Sequence, residues 1–139
     1  MQIPGLEPTL TPNPEGRPFW AALAEHRLVI PRCDACGRAF FYPRALCPHC
    51  GSRDVYWFPA AGRGTLYSFC VLHHSAVPGL SGALPLVTGL VDLDEGVRVT
   101  AFLIGFPEDP EQIRCGSLVE ADYVDLPEGG SLLAFRPSS

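Results

Sequence analysis

Two Cys-x-x-Cys pairs separated by ten residues, Cys33/Cys36 and Cys47/Cys50, restrict this 139-residue chain more than any other feature. Each pair is followed at once by a glycine, Gly37 and Gly51, which permits the positive φ and close backbone approach of a metal knuckle. Four thiolates close a tetrahedral shell around Zn²⁺ and leave no position for water. The pattern therefore predicts one structural zinc per chain, not a catalytic one. The binding energy of such an ion, about 10–16 kcal/mol, outweighs what a segment of roughly 30 residues gains from its own core. Iron in an electron carrier would use the same ligands. His49 sits between Pro48 and Cys50, but the symmetry of the two pairs makes it a bystander. Cys70 and Cys115 have no partner in sequence and read as small buried hydrophobes.

The rest of the chain reads as β structure. Its 15 prolines and 14 glycines are spread along the whole length, the mark of many short elements joined by tight turns. Pro4, Pro8, Pro12 and Pro14 make the first dozen residues an extended arm, expected to be loose or docked on a partner. Pro18 suits the first turn of a short helix with Phe19, Trp20 and Leu23 on one apolar face, ending by His26. Strands are expected at 28–32 and 39–42, flanking the first knuckle, and then at 55–58, 64–73, 84–93, 97–105, 117–125 and 131–135. Asp94-Glu95-Gly96 and Pro127-Glu128-Gly129-Gly130 mark tight connections. That many short strands fit a five-stranded, partly open Greek-key barrel, the OB-fold. The expected divisions are 1–26 for the arm and short helix, 27–58 for the zinc ribbon and 59–139 for the barrel.

Charge limits the function. All ten basic residues are arginine, and the first 58 residues carry a net +1 against −6 for the remainder. An OB barrel of that sign repels a phosphate backbone, so nucleic acid is not the expected partner. Around the knuckles, Arg32, Arg38, Arg44, Arg53 and Arg63 face only Asp34 and Asp54, a patch suited to a few phosphates. His73 and His74 are adjacent, point to opposite sides of a strand and have no nucleophile beside them. GxSxG, P-loop and Rossmann fingerprints are absent from the sequence. No run approaches the roughly 18 apolar residues of a membrane span, and residues 1–10 lack the basic start of a signal peptide. The expectation is a cytoplasmic protein without an active site of its own.

The order of these features resembles a known family, the rubredoxin-like zinc-ribbon plus acyl-CoA-associated OB-fold proteins called domain of unknown function thirty-five. The resemblance runs from Pro18-Phe19-Trp20 through Arg27-Leu28-Val29, both knuckles and Phe41-Tyr42-Pro43-Arg44. It continues with Gly62-Arg63-Gly64-Thr65-Leu66-Tyr67-Ser68-Phe69 and Val91-Asp92-Leu93, and closes at Phe135-Arg136-Pro137. It implies a non-catalytic partner of a thiolase-fold enzyme: a thiolase, an acyl-CoA synthase, or a lipid-transfer-protein-like aldolase that cleaves steroid side chains. A MaoC-like enoyl-CoA hydratase is the alternative partner, and a free-standing acyl-CoA or nucleic-acid binding module the alternative role. The resemblance also implies a surface that helps to receive a coenzyme A thioester. Arg38, Arg44, Arg53 and Arg63 offer guanidinium groups for its phosphates, and Phe41 and Tyr42 offer rings for its adenine. The competing reading makes these arginines solvated surface charges and these aromatics a cover for the ribbon's core.

Overall fold

The computed structural model describes residues 1–138. An extended arm leads through a 3₁₀ turn (Pro14–Gly16) into one helix, α1 (Arg17–Ala24). Seven strands follow: β1 (Val29–Cys33), β2 (Val55–Pro59), β3 (Arg63–Leu72), β4 (Leu86–Leu93), β5 (Arg98–Leu103), β6 (Leu118–Asp125) and β7 (Ser131–Pro137). β1 and β2 form a two-stranded antiparallel sheet, and the other five close into a barrel in the order β3-β4-β5-β7-β6. All barrel pairs are antiparallel except the short β5–β7 contact, where Phe102 and Leu103 meet Ala134 and Phe135. This is a zinc ribbon joined to an OB-fold barrel.

Local chemistry sets the boundaries. The Asn13 side chain accepts the Gly16 N–H at 2.9 Å, and Pro18 stands in the first turn of α1, where a missing N–H costs nothing. The helix stops where His26 takes a φ of 58°, and the N–H groups of Glu25 and His26 turn back to the carbonyls of Ala22 and Leu23 respectively. At eight residues α1 is too short to stand alone in water, so burial of Phe19, Ala22 and Leu23 holds it. In β4 and β5 buried and outward positions alternate, the period-two pattern of a half-buried sheet. A bulge between Leu66 and Ser68 bends β3 around the barrel.

One apolar cluster serves helix, ribbon root and barrel together. Leu23 from α1, Leu28 and Ile30 at the root of the ribbon, and Leu66, Val91, Val99, Val119 and Phe135 from the barrel all belong to it. Full burial of each such side chain contributes about 1.5–3 kcal/mol, so the ribbon is anchored on the barrel by packing as well as by chain connection. Glu95, in the β4–β5 turn, adds a polar tie by accepting the Ala61 N–H at 2.8 Å between ribbon and barrel.

Four expectations are corrected. The arm is docked on its own barrel: Leu6 is 1% exposed and packs with Leu80, Leu86, Val124, Leu126 and Leu132. Leucines interleaved with the prolines give the arm an apolar side that the prolines alone conceal. No strand forms at 39–42, where only a single bridge joins Arg32 to Ala39. On that edge Cys33 takes the Arg38 carbonyl and Phe40 donates to Pro31, but Pro31 has no N–H with which to continue the ladder. β1 pairs instead with β2, from Val29↔Pro59 to Cys33↔Val55. Cys70 and Cys115 are exposed, one on the outer side of β3 and the other beside the turn at Gly116. His73 and His74 lie beyond the end of β3 and are both exposed.

Candidate functional site

The two knuckles are built alike. In each, the glycine N–H returns to the first cysteine's carbonyl at 2.8 Å, Gly37 to Cys33 and Gly51 to Cys47. Each first cysteine in turn donates to the residue beyond the turn, Cys33 to Arg38 and Cys47 to Ser52, both at 2.9 Å. Gly37 and Gly51 take φ of 76° and 79°, and a Cβ on either would meet nothing within 4 Å. The left-handed backbone, not space, requires glycine there.

These turns bring the four sulfurs of Cys33, Cys36, Cys47 and Cys50 within 4.8 Å of one another. Cys33 and Cys50 approach to 3.5 Å and Cys36 and Cys47 to 3.7 Å. A tetrahedral zinc with Zn–S bonds near 2.3 Å separates its ligands by about 3.8 Å, so the donor set and its spacing fit that ion. Cys33 and Cys47 are buried and Cys36 and Cys50 exposed, which places the site at the ribbon's tip with one side toward solvent. Burial pushes the Cys47 thiol up, but the backbone N–H groups of Cys50 and His49, with the thiols of Cys36 and Cys33, bring it down to about 7. Ser52's backbone favours the Cys50 thiolate, yet the neighbouring sulfurs, led by Cys33, push it up to about 12. Four thiols this close ionise together only with a cation among them. His49 gives the cluster only its backbone N–H, 3.3 Å from the Cys47 sulfur.

The residues expected to meet coenzyme A are divided by the fold. Arg38, Arg44 and Arg53 are exposed on the ribbon, and among the described residues none has a side-chain acceptor. Arg63 stands in a different cleft, with Glu120, Tyr123 and Arg136. Phe41 is packed edge-on against Phe19 at 5.1 Å, while Tyr42 is 61% exposed and donates to the Thr100 hydroxyl at 3.4 Å. Phe41 and Tyr42 thus line a groove of about 410 Å³ between the arm and α1, together with Phe19, Trp20 and Pro43. On its other side the same four rings line a second hollow of about 280 Å³ against Thr100, Phe102 and Leu133 of the barrel. Trp20, Thr100 and Phe102 were not expected at this site, since only barrel closure carries β5 next to the ribbon. Arg32 is not a free cation: its guanidinium lies 4.1 Å over the Phe58 ring, with Nε buried and unpartnered.

Two family models match the chain: the ChsH2 rubredoxin-like zinc ribbon domain over residues 20–55 and the ChsH2 C-terminal OB-fold domain over residues 57–124. A probable enoyl-CoA hydratase alpha subunit of Thermomonospora curvata is 40% identical over 121 residues, 86% of this chain and 37% of that protein. The 3-oxo-4,17-pregnadiene-20-carboxyl-CoA hydratase alpha subunit of Mycobacterium tuberculosis is 37% identical over 86% of this chain and 36% of that protein. The chain therefore spans a little over a third of the length of these two relatives. A DUF35 domain-containing scaffold protein of Methanothermobacter thermautotrophicus is 31% identical, covering 76% of this chain and 77% of that one. Among solved structures, a chain of the Ltp2-ChsH2(DUF35) aldolase superposes with a TM-score of 0.82 at 37% identity, over 94% of this chain and all of that one.

Proposed function

Since the chain belongs to the DUF35 family of zinc-ribbon and OB-fold proteins, we propose that it is a non-catalytic subunit that binds and supports a thiolase-fold enzyme acting on acyl-CoA thioesters. The observation that carries this reading is the likeness to the ChsH2-type chain of an aldolase complex, which extends over nearly the whole of both chains. The metal set agrees with it, because a closed four-sulfur shell offers a substrate no coordination position. The zinc stiffens the ribbon, and the ribbon, rooted in the barrel core through Leu28 and Ile30, holds out a surface to the partner.

Coenzyme A would be met on the ribbon by Arg38, Arg44 and Arg53, with Phe41 and Tyr42. These three exposed guanidinium groups without carboxylate partners suit its phosphates, and the aromatic groove suits its apolar portion. Arg63 is the weakest member of the expected set, because it opens into another cleft. A MaoC-like hydratase is the second candidate partner, favoured by the two hydratase alpha subunits that contain a similar segment.

Co-expression with candidate thiolase-fold and hydratase subunits, followed by size exclusion, tests the reading. A single peak containing both chains is expected, and separate elution from every such subunit would refute it. Within the complex, Arg44→Ala should raise KM for the thioester with little change in kcat; an unchanged KM removes Arg44 from the phosphate site.

A further inference from the structure

The N-terminal arm supplies part of the aromatic groove. Thr9 to Pro12 line that space of about 410 Å³ together with Phe19, Trp20, Phe41 and Tyr42. The two linings are held in different ways. The rings brace one another: Phe19 meets Trp20 edge-on with centroids 5.3 Å apart and Phe41 at 5.1 Å, and Phe41 lies 4.8 Å from Tyr42. Phe19 is itself buried in the shared core, so the ring set is fixed to the body of the molecule.

The arm is pinned on either side of its lining residues and little between. Before them, Leu6 is 1% exposed against the barrel, and Glu7 donates its N–H to the Gly79 carbonyl at 2.8 Å. After them, the Asn13 side chain accepts the Gly16 N–H at 2.9 Å at the entry to α1. Between these pins Thr9, Thr11 and Pro12 are exposed, and Leu10 is half-buried beside Gly130. Pro8 and Pro12 have no N–H to give, and Thr9, Leu10 and Thr11 make no backbone hydrogen bond among the described residues. A span with little buried surface and an unpaired backbone opens at small cost, the property that binding loops require.

We propose that residues 8–12 form a strap that lies over the pantetheine chain of a coenzyme A thioester and is ordered by it. The chemistry of the groove selects that portion of the ligand. A braced aromatic lining takes up an apolar chain, and unpaired peptide groups are satisfied by a ligand that carries amides. Pantetheine is an apolar chain interrupted by amides. The phosphates belong elsewhere, because the groove lining contains no charged side chain among the described residues. Arg44 directly follows Pro43, a lining residue, so the phosphate contacts on the ribbon and the groove adjoin along the chain. The inference rests on the coenzyme A reading above, and adds that the arm completes the site which the ribbon begins.

The test titrates coenzyme A, and adenosine 3′,5′-bisphosphate, which keeps phosphates and adenine but lacks pantetheine, into the zinc-loaded, co-purified complex. Hydrogen exchange on the wild type, which does not depend on any variant folding, should show residues 9–11 exchanging freely without ligand. Coenzyme A should protect them and the bisphosphate should not. Gly79→Ala, which unpins Glu7, should weaken coenzyme A about tenfold and change the bisphosphate by no more than about twofold. Coenzyme A bound with residues 9–11 unprotected overturns the strap while leaving the coenzyme A reading standing. So does a Gly79→Ala complex that keeps its affinity for coenzyme A or loses both ligands alike. A wild-type complex that binds neither ligand overturns both. Protection of residues 9–11 by the partner subunit alone, unchanged by coenzyme A, gives the groove to a segment of that partner and overturns the assignment.

Discussion

Replacing Cys36 by serine separates the metal's contribution from packing. Cys36 is exposed, so the substitution removes a ligand and almost no buried surface. If four thiolates share about 10–16 kcal/mol of zinc binding, the loss of one costs about 2.5–4 kcal/mol, or roughly 100- to 1000-fold in affinity. The local apolar cluster cannot make up the difference, because it consists of Cys33, Phe40 and Cys47 with part of Val55. One buried phenylalanine contributes about 2–3 kcal/mol, far below the ordering cost of the knuckle segment. Competition with a chromophoric chelator should therefore give the variant a zinc affinity lower by at least two orders of magnitude. Hydrogen exchange should show residues 33–54 losing protection while β3 to β7 keep theirs, since no buried residue of the two clusters that fill and flank the barrel lies within 33–54. Zinc affinity within threefold of wild type, or a ribbon that stays protected without metal, would refute the argument.

Three further outcomes follow from the packing and the charges. Leu23→Ala should cost about 2–5 kcal/mol in denaturant unfolding, because the side chain is fully buried where helix, ribbon root and barrel meet; a loss below 1 kcal/mol would mean the cluster is not shared. Gly79→Ala should release the arm, since a Cβ would strike the Glu7 carbonyl at a residue already at φ 88°; faster proteolysis within residues 1–12 is the readout, and an unchanged rate contradicts the docking. Asp125 is held well below the usual carboxylate range by His26 at 2.7 Å, then by Ser131 and the amino group of Met1. A folded-state pKa below the unfolded one stabilises above the unfolded value, near 3.9, and that stability is lost as pH falls through the folded value. Acid unfolding of Asp125→Asn should accordingly be less steep below about pH 4, and parallel pH profiles for variant and wild type would contradict it.

Much of this molecule was legible in its sequence, for physical reasons that also mark where legibility ends. The knuckles are local: a cysteine spacing and a glycine decide each turn, and the structure adds only that the two turns face each other. The barrel strands follow from short apolar runs between turn residues, and β4, β5 and β7 stand close to where those runs place them. What escaped depends on contacts between distant segments. The arm's docking rests on Leu6 meeting Leu80 and Val124, and the missing strand at 39–42 rests on the absent N–H of Pro31. Cys70 and Cys115 were misplaced because a cysteine's burial depends on which side of a strand or turn it occupies. The aromatic site was half visible, in Phe41 and Tyr42, but the second hollow behind those rings is lined by Thr100 and Phe102, from a strand some sixty residues away in the chain.

The central claim is that this chain supports chemistry it does not perform. Turnover of an acyl-CoA thioester by the purified zinc-loaded chain, by its partner enzyme and by the two together measures that claim directly. The account predicts no turnover by the chain alone and the highest rate for the complex. Turnover by the isolated chain, abolished by substitutions within it, would contradict the account.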